Sequence, residues 1–337
     1  FSSMSTSWLA HAKLYSQSMI SKLGLNDVSN VIEIASNDGY LLKNFVAAGI
    51  PCFGIEPTES TATNAEQLGI PVIREFFCEA LGKRLAFEGK QADLVVGNNV
   101  YAHVPDINDF TLGLKALLKP KGTLTLEFPH LMQLIKNTQF DTVYHEHFSY
   151  LSLYTVNRIF EFSGLRIWDV EELPTHGGSL RIYGCHADDT RQTQPSVTTV
   201  HAEEARNGLQ NMDIYNCFQV KTNQLKDELL TFLLEQKRTA KKVAAYGAAA
   251  KGNTLLNYAG VKIDLLPFIC DAAPSKQGKF MPGSHIPILP PSAIVDFNPD
   301  FIIILPWNIS EEISSQIKEL TTNDTKFVTV VPNLNIL

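Results

Sequence analysis

The most constraining feature of this chain is a regular alternation of short apolar runs with helical stretches over residues 30–130. The apolar runs are rich in β-branched residues and have the length of strands, whereas the stretches between them have helical spacing. Such alternation predicts a parallel sheet with helices on both faces. The predicted strands are "NVIEIAS", "PCFGIEPT", "IPVIREFF", "ADLVVGNN" and "TLTLEFPH"; the predicted helices are "GYLLKNFVAAG", "STATNAEQLG" and "DINDFTLGLKALLKPKG", the last stopped by Pro120 and Gly122.

Two further regions complete the predicted architecture. A Ser-rich lead runs into an amphipathic helix within residues 1–25, and residues 195–240 have a helical pattern that indicates a connector. The alternation of strand and helix restarts at Val243. We therefore predict a Rossmann-like domain over residues 1–190. A second domain over residues 191–337 would contain the helical connector and a smaller Rossmann-like α/β unit.

Composition excludes several classes of function. A net charge of −7 without basic runs argues against nucleic acid and anionic membrane surfaces as partners. No apolar stretch approaches the roughly 20 residues of a membrane helix. The five cysteines are widely separated and form no CxxC pair, which argues against a zinc knuckle and a disulfide framework. The chain opens with Phe1 and shows no signal segment, so the cytoplasm is the expected location.

A candidate cofactor site lies where the first predicted strand runs into its helix. "EIASNDG" places Glu33 inside the strand and an Asn-Asp-Gly turn after it, in place of the glycine pattern of dinucleotide sites. An acidic strand residue suits a cationic amino-acid ligand, and Glu56 ends the second strand where a carboxylate can bind a ribose diol. Alternatively, Glu33 caps a turn and Glu56 is an exposed strand end.

Together these features resemble class I S-adenosylmethionine methyltransferases. In that fold, "EFF" and "GNNVYAHVPD" fall where adenine- and methionine-contacting residues lie. Ala35 replaces the first glycine that is usual in the loop, and its methyl group narrows the approach to the ligand. The expected S-adenosylmethionine contacts are Glu33, Ala35, Ser36, Asn37, Gly39, Glu56, Pro57, Phe76, Phe77, Asn98 and Asn99.

The segment "YHEHF" concentrates two of the nine histidines of the chain around a carboxylate. Three interpretations are open: a metal site, a hydrogen-bonded polar cluster among aromatic residues, or an acid/base centre. Histidine suits the removal of a carbon-bound proton near neutral pH, and Tyr144 could then donate to a developing enolate. If the segment is extended, His145 and His147 share one face while Tyr144 and Glu146 share the other.

Motifs along the whole chain resemble the nucleotide-sugar C-methyltransferases that act on dTDP-4-keto-deoxysugars. They are "FSSMSTSW", "EIASNDGYLL", "YHEHFSYLS", "THGGSLRIY", "YGAAAKGNTLLN" and "DAAPSKQGKFMPGSHIPI". The resemblance implies that His147 is the base that removes the proton next to the 4-keto group, and that Tyr144, Glu146 and His103 line the same pocket. It also implies S-adenosylmethionine as methyl donor, a nucleotide-sugar substrate, and a monomer or homodimer.

The resemblance further implies that the second domain helps to hold the nucleotide sugar. "YGAAAKGN" resembles a phosphate-binding strand-to-helix loop, in which Gly247 permits close approach and Lys251 supplies charge. The implied substrate contacts are Ser179, Arg181, Gly247, Lys251, Asn253 and Lys276. For each group an ordinary structural role is the alternative: a plain α/β turn, solvated lysines, and a glycine hairpin whose Arg181 faces solvent.

One departure from the family concerns its N-terminal zinc module, which is built on cysteine pairs. No cysteine precedes Cys52, so we expect no zinc in this chain. Two alternatives to sugar C-methylation stay open. One is methylation of an oxygen or nitrogen of another small metabolite, and the other is non-catalytic nucleotide-sugar binding.

Overall fold

The computed structural model describes residues 6–322 and 324–337, so most of the Ser-rich lead lies outside the described residues. The chain divides into two compact units. The first unit contains the residues up to His130 together with Phe148–Pro174 and Gly178–Arg206. The second unit contains Leu131–His147, Thr175–Gly177 and Asn207–Leu337.

The helices and strands follow one another in the alternation that the sequence predicts. The helices are α1 (Thr6–Leu23), α2 (Leu42–Ala47), α3 (Glu59–Gln67), α4 (Glu79–Phe87), α5 (Ile107–Leu117), α6 (Leu131–Lys136), α7 (Leu153–Ser163), α8 (Pro195–Arg206), α9 (Met212–Arg238), α10 (Ala250–Ala259), α11 (Ala293–Phe297) and α12 (Ser310–Ile317). The strands are β1 (Val31–Ile34), β2 (Cys52–Ile55), β3 (Val72–Ile73), β4 (Ala92–Asn98), β5 (Leu118–Pro129), β6 (Leu165–Leu173), β7 (Ser179–His186), β8 (Val243–Tyr246), β9 (Ile269–Cys270), β10 (Ile288–Leu289), β11 (Phe301–Ile304), β12 (Lys326–Thr329) and β13 (Asn335–Ile336). None of the helices in the described part of the chain has both the length and the apolarity that a membrane crossing requires.

The first unit is built on a seven-stranded sheet with the order β3-β2-β1-β4-β5-β7-β6. Strands β1 to β5 are parallel, whereas β7 pairs antiparallel with both β5 and β6. One face of the sheet packs Ile32 and Leu126 into a core, and the other packs Val31 and Val96 beneath α1. The parallel sheet with helices on both faces is therefore confirmed, and the carboxyl ends of β1, β2 and β4 meet at one edge.

Two predicted boundaries were wrong in this unit. Strand β3 is only Val72–Ile73, far shorter than "IPVIREFF". Helix α5 ends at Leu117 rather than at Pro120, and residues 118–129 form β5. The physical reason is that the residue before a proline disfavours the helical conformation. The side-chain amide of Gln91 also donates to the carbonyl oxygens of Ala116 and Leu118 where the helix gives way to the strand.

The second unit contains a six-stranded sheet with the order β10-β9-β8-β11-β12-β13. All neighbouring strands are parallel except β12 and β13. Apolar clusters cover the sheet, one including Leu255 and Ile303 and the other including Ile302 and Ile313. The predicted second Rossmann-like unit is thus confirmed. The helical connector consists of α8 and α9, and Gly208 lies between them with a positive φ of 75°.

We expect the substitution Gly82→Ala to destabilise the first unit. In a helix this change ordinarily stabilises by roughly 0.5–1 kcal/mol. Here a Cβ at Gly82 would lie 2.4 Å from the carbonyl oxygen of Gly113 on α5. We therefore expect a loss of about 1–3 kcal/mol in the free energy of unfolding, measured by urea denaturation. The control is Lys83→Ala, whose side chain is 66% exposed. A more stable Gly82→Ala protein would contradict the close packing of α4 on α5.

Candidate active site

The loop that follows β1 has an unusual backbone. Ala35, Asn37 and Gly39 all adopt positive φ angles, of 57°, 51° and 77°. This left-handed region is unfavourable for an alanine and is commonly retained where a loop must take one particular shape. The side-chain oxygen of Asn37 accepts the N–H of Asp38 at 2.9 Å and so supports the turn locally. Ala35 thus adopts a backbone conformation that ordinarily favours glycine.

Glu56, immediately after β2, holds this loop in place. One carboxylate oxygen accepts the backbone N–H of Asn37 at 3.0 Å, and the other accepts that of Thr58 at 2.9 Å. The loop can lie this close to β2 because residue 54 is a glycine. A Cβ at Gly54 would lie 2.1 Å from the hydroxyl oxygen of Ser36. Glu56 is buried, so it is not an exposed strand end. Its carboxylate oxygens retain lone pairs for further hydrogen bonds.

Three polar side chains at this edge of the sheet fit a polar ligand. Glu33 Oε2, Ser36 Oγ and Asn98 Oδ1 are buried and have no hydrogen-bond partner among the described residues. Buried polar atoms are nearly always paired, so these three oxygens suit the polar groups of a ligand bound at this edge. Burial raises the pKa of Glu33 well above its usual value, and the charges of Asp38 and Glu56 add to the rise. A ligand with a cationic group would offset that penalty, which suits the ammonium and sulfonium charges of S-adenosylmethionine.

The other predicted donor contacts have different environments. Asn99 follows β4 with a φ of 52°, and its N–H donates to the carbonyl of Glu127 at 2.7 Å. Phe77 packs on the core with its ring edge-on to Phe110, whereas Phe76 is 82% exposed. Pro57 is half-buried, and His103 ends a short 3-10 turn, Tyr101–His103. Their roles as contacts stay predictions.

The segment Tyr144–His147 forms a turn and is not extended. The N–H of His147 donates to the carbonyl of Tyr144 at 3.0 Å. The expectation that alternate side chains share a face was therefore wrong, because a turn brings its first and fourth residues together. The rings of Tyr144 and His147 lie 4.2 Å apart between centroids. His145 and Glu146 occupy the tip, with side chains 88% and 59% exposed.

The imidazole of His147 is oriented by a backbone carbonyl. Its Nδ1 lies 2.8 Å from the carbonyl oxygen of Thr142, which belongs to the 3-10 turn Phe140–Thr142. A carbonyl oxygen can only accept, so Nδ1 carries the proton and the lone pair of the neutral ring is on Nε2. This is the tautomer that a base acting through Nε2 requires. Across residues 6–322 and 324–337, no group of three or more His, Cys, Asp or Glu side chains is placed to hold a metal ion.

Arg181 lies inside the first unit and does not face solvent. Its guanidinium donates to Glu127 at 2.8 Å and to Glu171 at 3.2 Å, and only 6% of its side chain is exposed. Burial alone would raise the pKa of Glu127, but the hydrogen bond from His11 and the charge of Arg181 bring it below its usual value. Ser179, at the start of the same strand, is also buried. Substrate contact by these two residues stays a prediction.

The predicted phosphate loop of the second unit connects β8 to α10. Gly247 has a φ of 93°, and a Cβ there would lie 2.4 Å from Pro306. Lys251 is half-buried, donates to Asn308 Oδ1 at 3.0 Å and lies 4.5 Å from the ring centre of Trp307. Lys276 donates to Asp271 at 3.1 Å. Asn253 Oδ1 is buried, with no hydrogen-bond partner in the described part of the chain.

Sequence reasoning missed three residues close to these sites. Asp141 is fully buried and accepts the indole N–H of Trp307 at 2.7 Å. Asp271 follows β9 and accepts the N–H of Ala248 at 2.8 Å. Asp141 lies three residues before Tyr144, and an acidic residue beside that aromatic run was the available signal. No sequence signal pointed to Trp307, because its indole contacts a residue, Asp141, that is 166 positions earlier in the chain.

Comparison with known proteins identifies the chain's relatives. The family model "C-methyltransferase C-terminal domain" matches residues 174–332, and a "Methyltransferase domain" model matches residues 9–170. The C-methyltransferase NovU of Streptomyces niveus is 35% identical over 318 residues, which cover 94% of this chain and 76% of NovU.

Solved structures overlap the chain only in part. The PH0226 protein of Pyrococcus horikoshii OT3 is 14% identical, with a TM-score of 0.45 over 54% of this chain and 92% of its own. The magnesium protoporphyrin IX methyltransferase ChlM of Synechocystis PCC 6803, solved with bound SAH, is 15% identical, with a TM-score of 0.42 over 53% of this chain and 83% of its own. Overlaps of this size do not bear on function.

The likeness to NovU, by contrast, extends over nearly the whole chain, and the two family models account for both of its halves. The chain therefore belongs to the C-methyltransferase family and is an enzyme that uses S-adenosylmethionine as its methyl donor.

Proposed function

We propose that the enzyme methylates a carbon next to the ketone of a nucleotide-linked 4-keto-deoxysugar. The observation that carries the proposal is the hydrogen bond between His147 Nδ1 and the Thr142 carbonyl, which leaves Nε2 as the basic nitrogen. A carbon acceptor must lose a proton before it can take a methyl group, and a neutral imidazole is suited to that step. Methylation of an oxygen or nitrogen would have less need of such a base.

In the proposed mechanism, His147 Nε2 removes the proton from the carbon next to the ketone. The electrons of the broken C–H bond move into the carbonyl and form an enolate. The hydroxyl of Tyr144, which the turn places beside His147, donates to the enolate oxygen as its charge develops. S-adenosylmethionine, held by the loop after β1 and by the ends of β2 and β4, would supply an electrophilic methyl group to the enolate carbon, and the electrons of its S–CH₃ bond would stay on sulfur.

Glu146 and His103 are given lesser roles in this proposal. Glu146 lies at the exposed tip of the turn and could accept hydrogen bonds from sugar hydroxyls. His103 lies in the turn after β4, and Ala102 beside it accepts the N–H of Phe148 at 2.9 Å. Phe148 is the residue that follows His147 in the chain. We assign Glu146 and His103 to substrate positioning.

The donor would be held by the loop after β1 and by the ends of β2 and β4. Glu56 would accept hydrogen bonds from the ribose hydroxyls while it retains the loop through Asn37. Glu33 and Asn98 would meet the amino-acid end, since both have buried oxygens with no described partner. The remaining assigned contacts are Ala35, Ser36, Gly39, Pro57, Phe76, Phe77 and Asn99.

The nucleotide part of the substrate is assigned to the loops of the second unit. The backbone N–H groups at the start of α10 offer partners for phosphate oxygens; Gly247 lies in the loop before the helix and Asn253 in its first turn. Lys251 and Lys276 supply positive charge, although each also has a partner within the protein. Ser179 and Arg181 stay assigned to the pocket wall by family resemblance alone.

The first test replaces His147 by Gln. We expect kcat on a panel of dTDP-4-keto-6-deoxysugars to fall by about 10²–10⁴-fold, the range typical of a lost general base. Mass spectrometry would measure the gain of one methyl group, and NMR in deuterated water would measure exchange of the proton next to the ketone. Both signals should disappear while S-adenosylhomocysteine binding is unchanged.

His145→Gln is the matched control, because His145 is 88% exposed at the tip of the same turn. It should retain turnover and exchange. Wild-type turnover by His147→Gln would discard the base assignment. A methylated product formed by the wild-type enzyme without any proton exchange would favour oxygen or nitrogen methylation.

The second test replaces Glu56 by Gln. An amide cannot accept both backbone N–H groups, and it loses the charge that strengthens a hydrogen bond to a ribose hydroxyl. We expect S-adenosylhomocysteine to bind about 10- to 100-fold more weakly by calorimetry, since a hydrogen bond to a charged group contributes roughly 1.5–3 kcal/mol. Glu59→Gln, whose side chain is 78% exposed, is the control. Equal affinities of the two variants would remove Glu56 from the donor site.

A further inference from the structure

A polar cluster around one buried carboxylate of the second unit lies next to the turn that orients His147. It consists of Asp141, Lys251, Trp307 and Asn308, and we refer to it as the Asp141 cluster. The side chain of Asp141 is fully buried, and its Oδ2 accepts the indole N–H of Trp307 at 2.7 Å. Its other oxygen is buried and has no hydrogen-bond partner among the described residues. A directional bond from a tryptophan is thus what fixes the carboxylate.

The other members of the cluster hold Trp307 and compensate the charge. Lys251 lies over the indole ring at 4.5 Å and donates to Asn308 at 3.0 Å. Burial raises the pKa of Asp141 to about 6, although the charge of Lys251 and the bond from Trp307 oppose the rise. The ring of Trp307 also packs closely against the backbone at Gly177. A Cβ at Gly177 would lie only 2.4 Å from that ring. The indole therefore has little room to move.

The carboxylate is one residue away from the carbonyl that orients His147. Asp141 is the middle residue of the 3-10 turn Phe140–Thr142, and Thr142 closes that turn with its N–H and its hydroxyl both donating to the carbonyl of Gln139. Phe140 is anchored in an apolar cluster with its ring 5.2 Å from that of Tyr258. The apolar anchor fixes one end of the turn, and the Asp141–Trp307 bond fixes its rotation.

We propose that Asp141 is a positioning residue for His147. The bond from Trp307 to Asp141 holds the 3-10 turn so that the Thr142 carbonyl faces His147 Nδ1 and selects the tautomer with its lone pair on Nε2. The inference deepens the proposed function and rests on it, since tautomer selection affects catalysis only if His147 is the base. It assigns Asp141 no contact with the substrate.

A polar anchor suits this task better than an apolar one. Burying a carboxylate contributes little to stability, and an apolar side chain of similar volume could fill the space at least as favourably. An apolar side chain would, however, allow the turn to rotate, whereas a hydrogen bond of 2.7 Å constrains direction as well as distance. Partners that orient a functional histidine commonly control its tautomer in this way.

The test compares three variants of the full chain. Asp141→Leu removes the acceptor, and Trp307→Phe removes the donor while keeping an aromatic ring beside Lys251. Asp141→Asn keeps an oxygen that can accept the indole N–H. We expect kcat to fall by about 10- to 100-fold in the first two variants, the usual effect of losing a partner that orients a functional histidine, with Asp141→Asn within about threefold of wild type.

Nitrogen-15 NMR of the histidine rings gives a measurement that does not depend on activity. Wild type and Asp141→Asn should show His147 protonated at Nδ1, whereas Asp141→Leu and Trp307→Phe should show a mixture of both neutral tautomers. His147→Gln identifies the signal. The affinity for S-adenosylhomocysteine should be unchanged, which a general loss of structure would not allow.

The outcomes separate this inference from the proposed function. An unchanged tautomer and unchanged kcat in both Asp141→Leu and Trp307→Phe would overturn the positioning role, even if His147→Gln is inactive. A changed tautomer in those variants together with a fully active His147→Gln would uphold the geometry and overturn the proposed base. Loss of kcat in Asp141→Leu with an unchanged tautomer would also overturn the inference, because the carboxylate would then act by another route.

Discussion

The proposed donor site depends on one requirement. The backbone N–H groups of the loop after β1 need hydrogen-bond acceptors at a place where the strands have ended and no neighbouring strand can supply them. Glu56 meets this requirement by accepting from Asn37 and Thr58 with its two oxygens. The left-handed residues Ala35 and Gly39 shape the loop, and Gly54 lets it approach β2. A carboxylate at the end of the second strand is thus structural before any ligand binds, and the same atoms are suited to a ribose diol.

In the second unit, a different carboxylate accepts the backbone N–H groups of a loop in the same way. Asp271 follows β9 and accepts the N–H of Ala248 with one oxygen and that of Ala273 with the other, both at 2.8 Å. Ala248 lies in the loop after the central strand β8, as Asn37 lies in the loop after β1. The shared solution follows from the shared topology, because parallel strands bring the loop after one strand beside the end of its neighbour. In the second unit Lys276 also pairs with the carboxylate.

Three buried carboxylates illustrate how the surroundings decide the state of a charge. Glu127 has Arg181 and His11 as partners, and its pKa lies below the usual value despite burial. Asp141 has a neutral indole donor and the ammonium of Lys251, and burial raises its pKa to about 6. The charges that act on Glu33 are those of other carboxylates, Asp38 and Glu56, and together with burial they raise its pKa well above the usual value. Of the three carboxylates, Glu33 is the one whose charge is least compensated by nearby groups, and it is the one that we assign to a cationic ligand.

The alternation of strands and helices, and with it both sheets, could be predicted from the amino-acid sequence, because the periods of 2 and 3.6 are local properties of the chain. It also placed Glu33 inside the first strand and Glu56 just after the second, where parallel topology brings them close together. The end of α5 was predicted wrongly from local signals. There Pro120 disfavours the helical conformation of the residue before it, and the side-chain amide of Gln91 donates to carbonyl oxygens at the end of the helix.

Only the tertiary structure decided the geometry around His147. The residue types in "YHEHF" did not reveal that the segment turns, or that Thr142 selects the imidazole tautomer. The bond between Asp141 and Trp307 joins positions 166 apart in the chain. Periodicity reports which side of an element is buried, but it carries no information about which distant side chain will supply a partner; that depends on the packing of the whole unit.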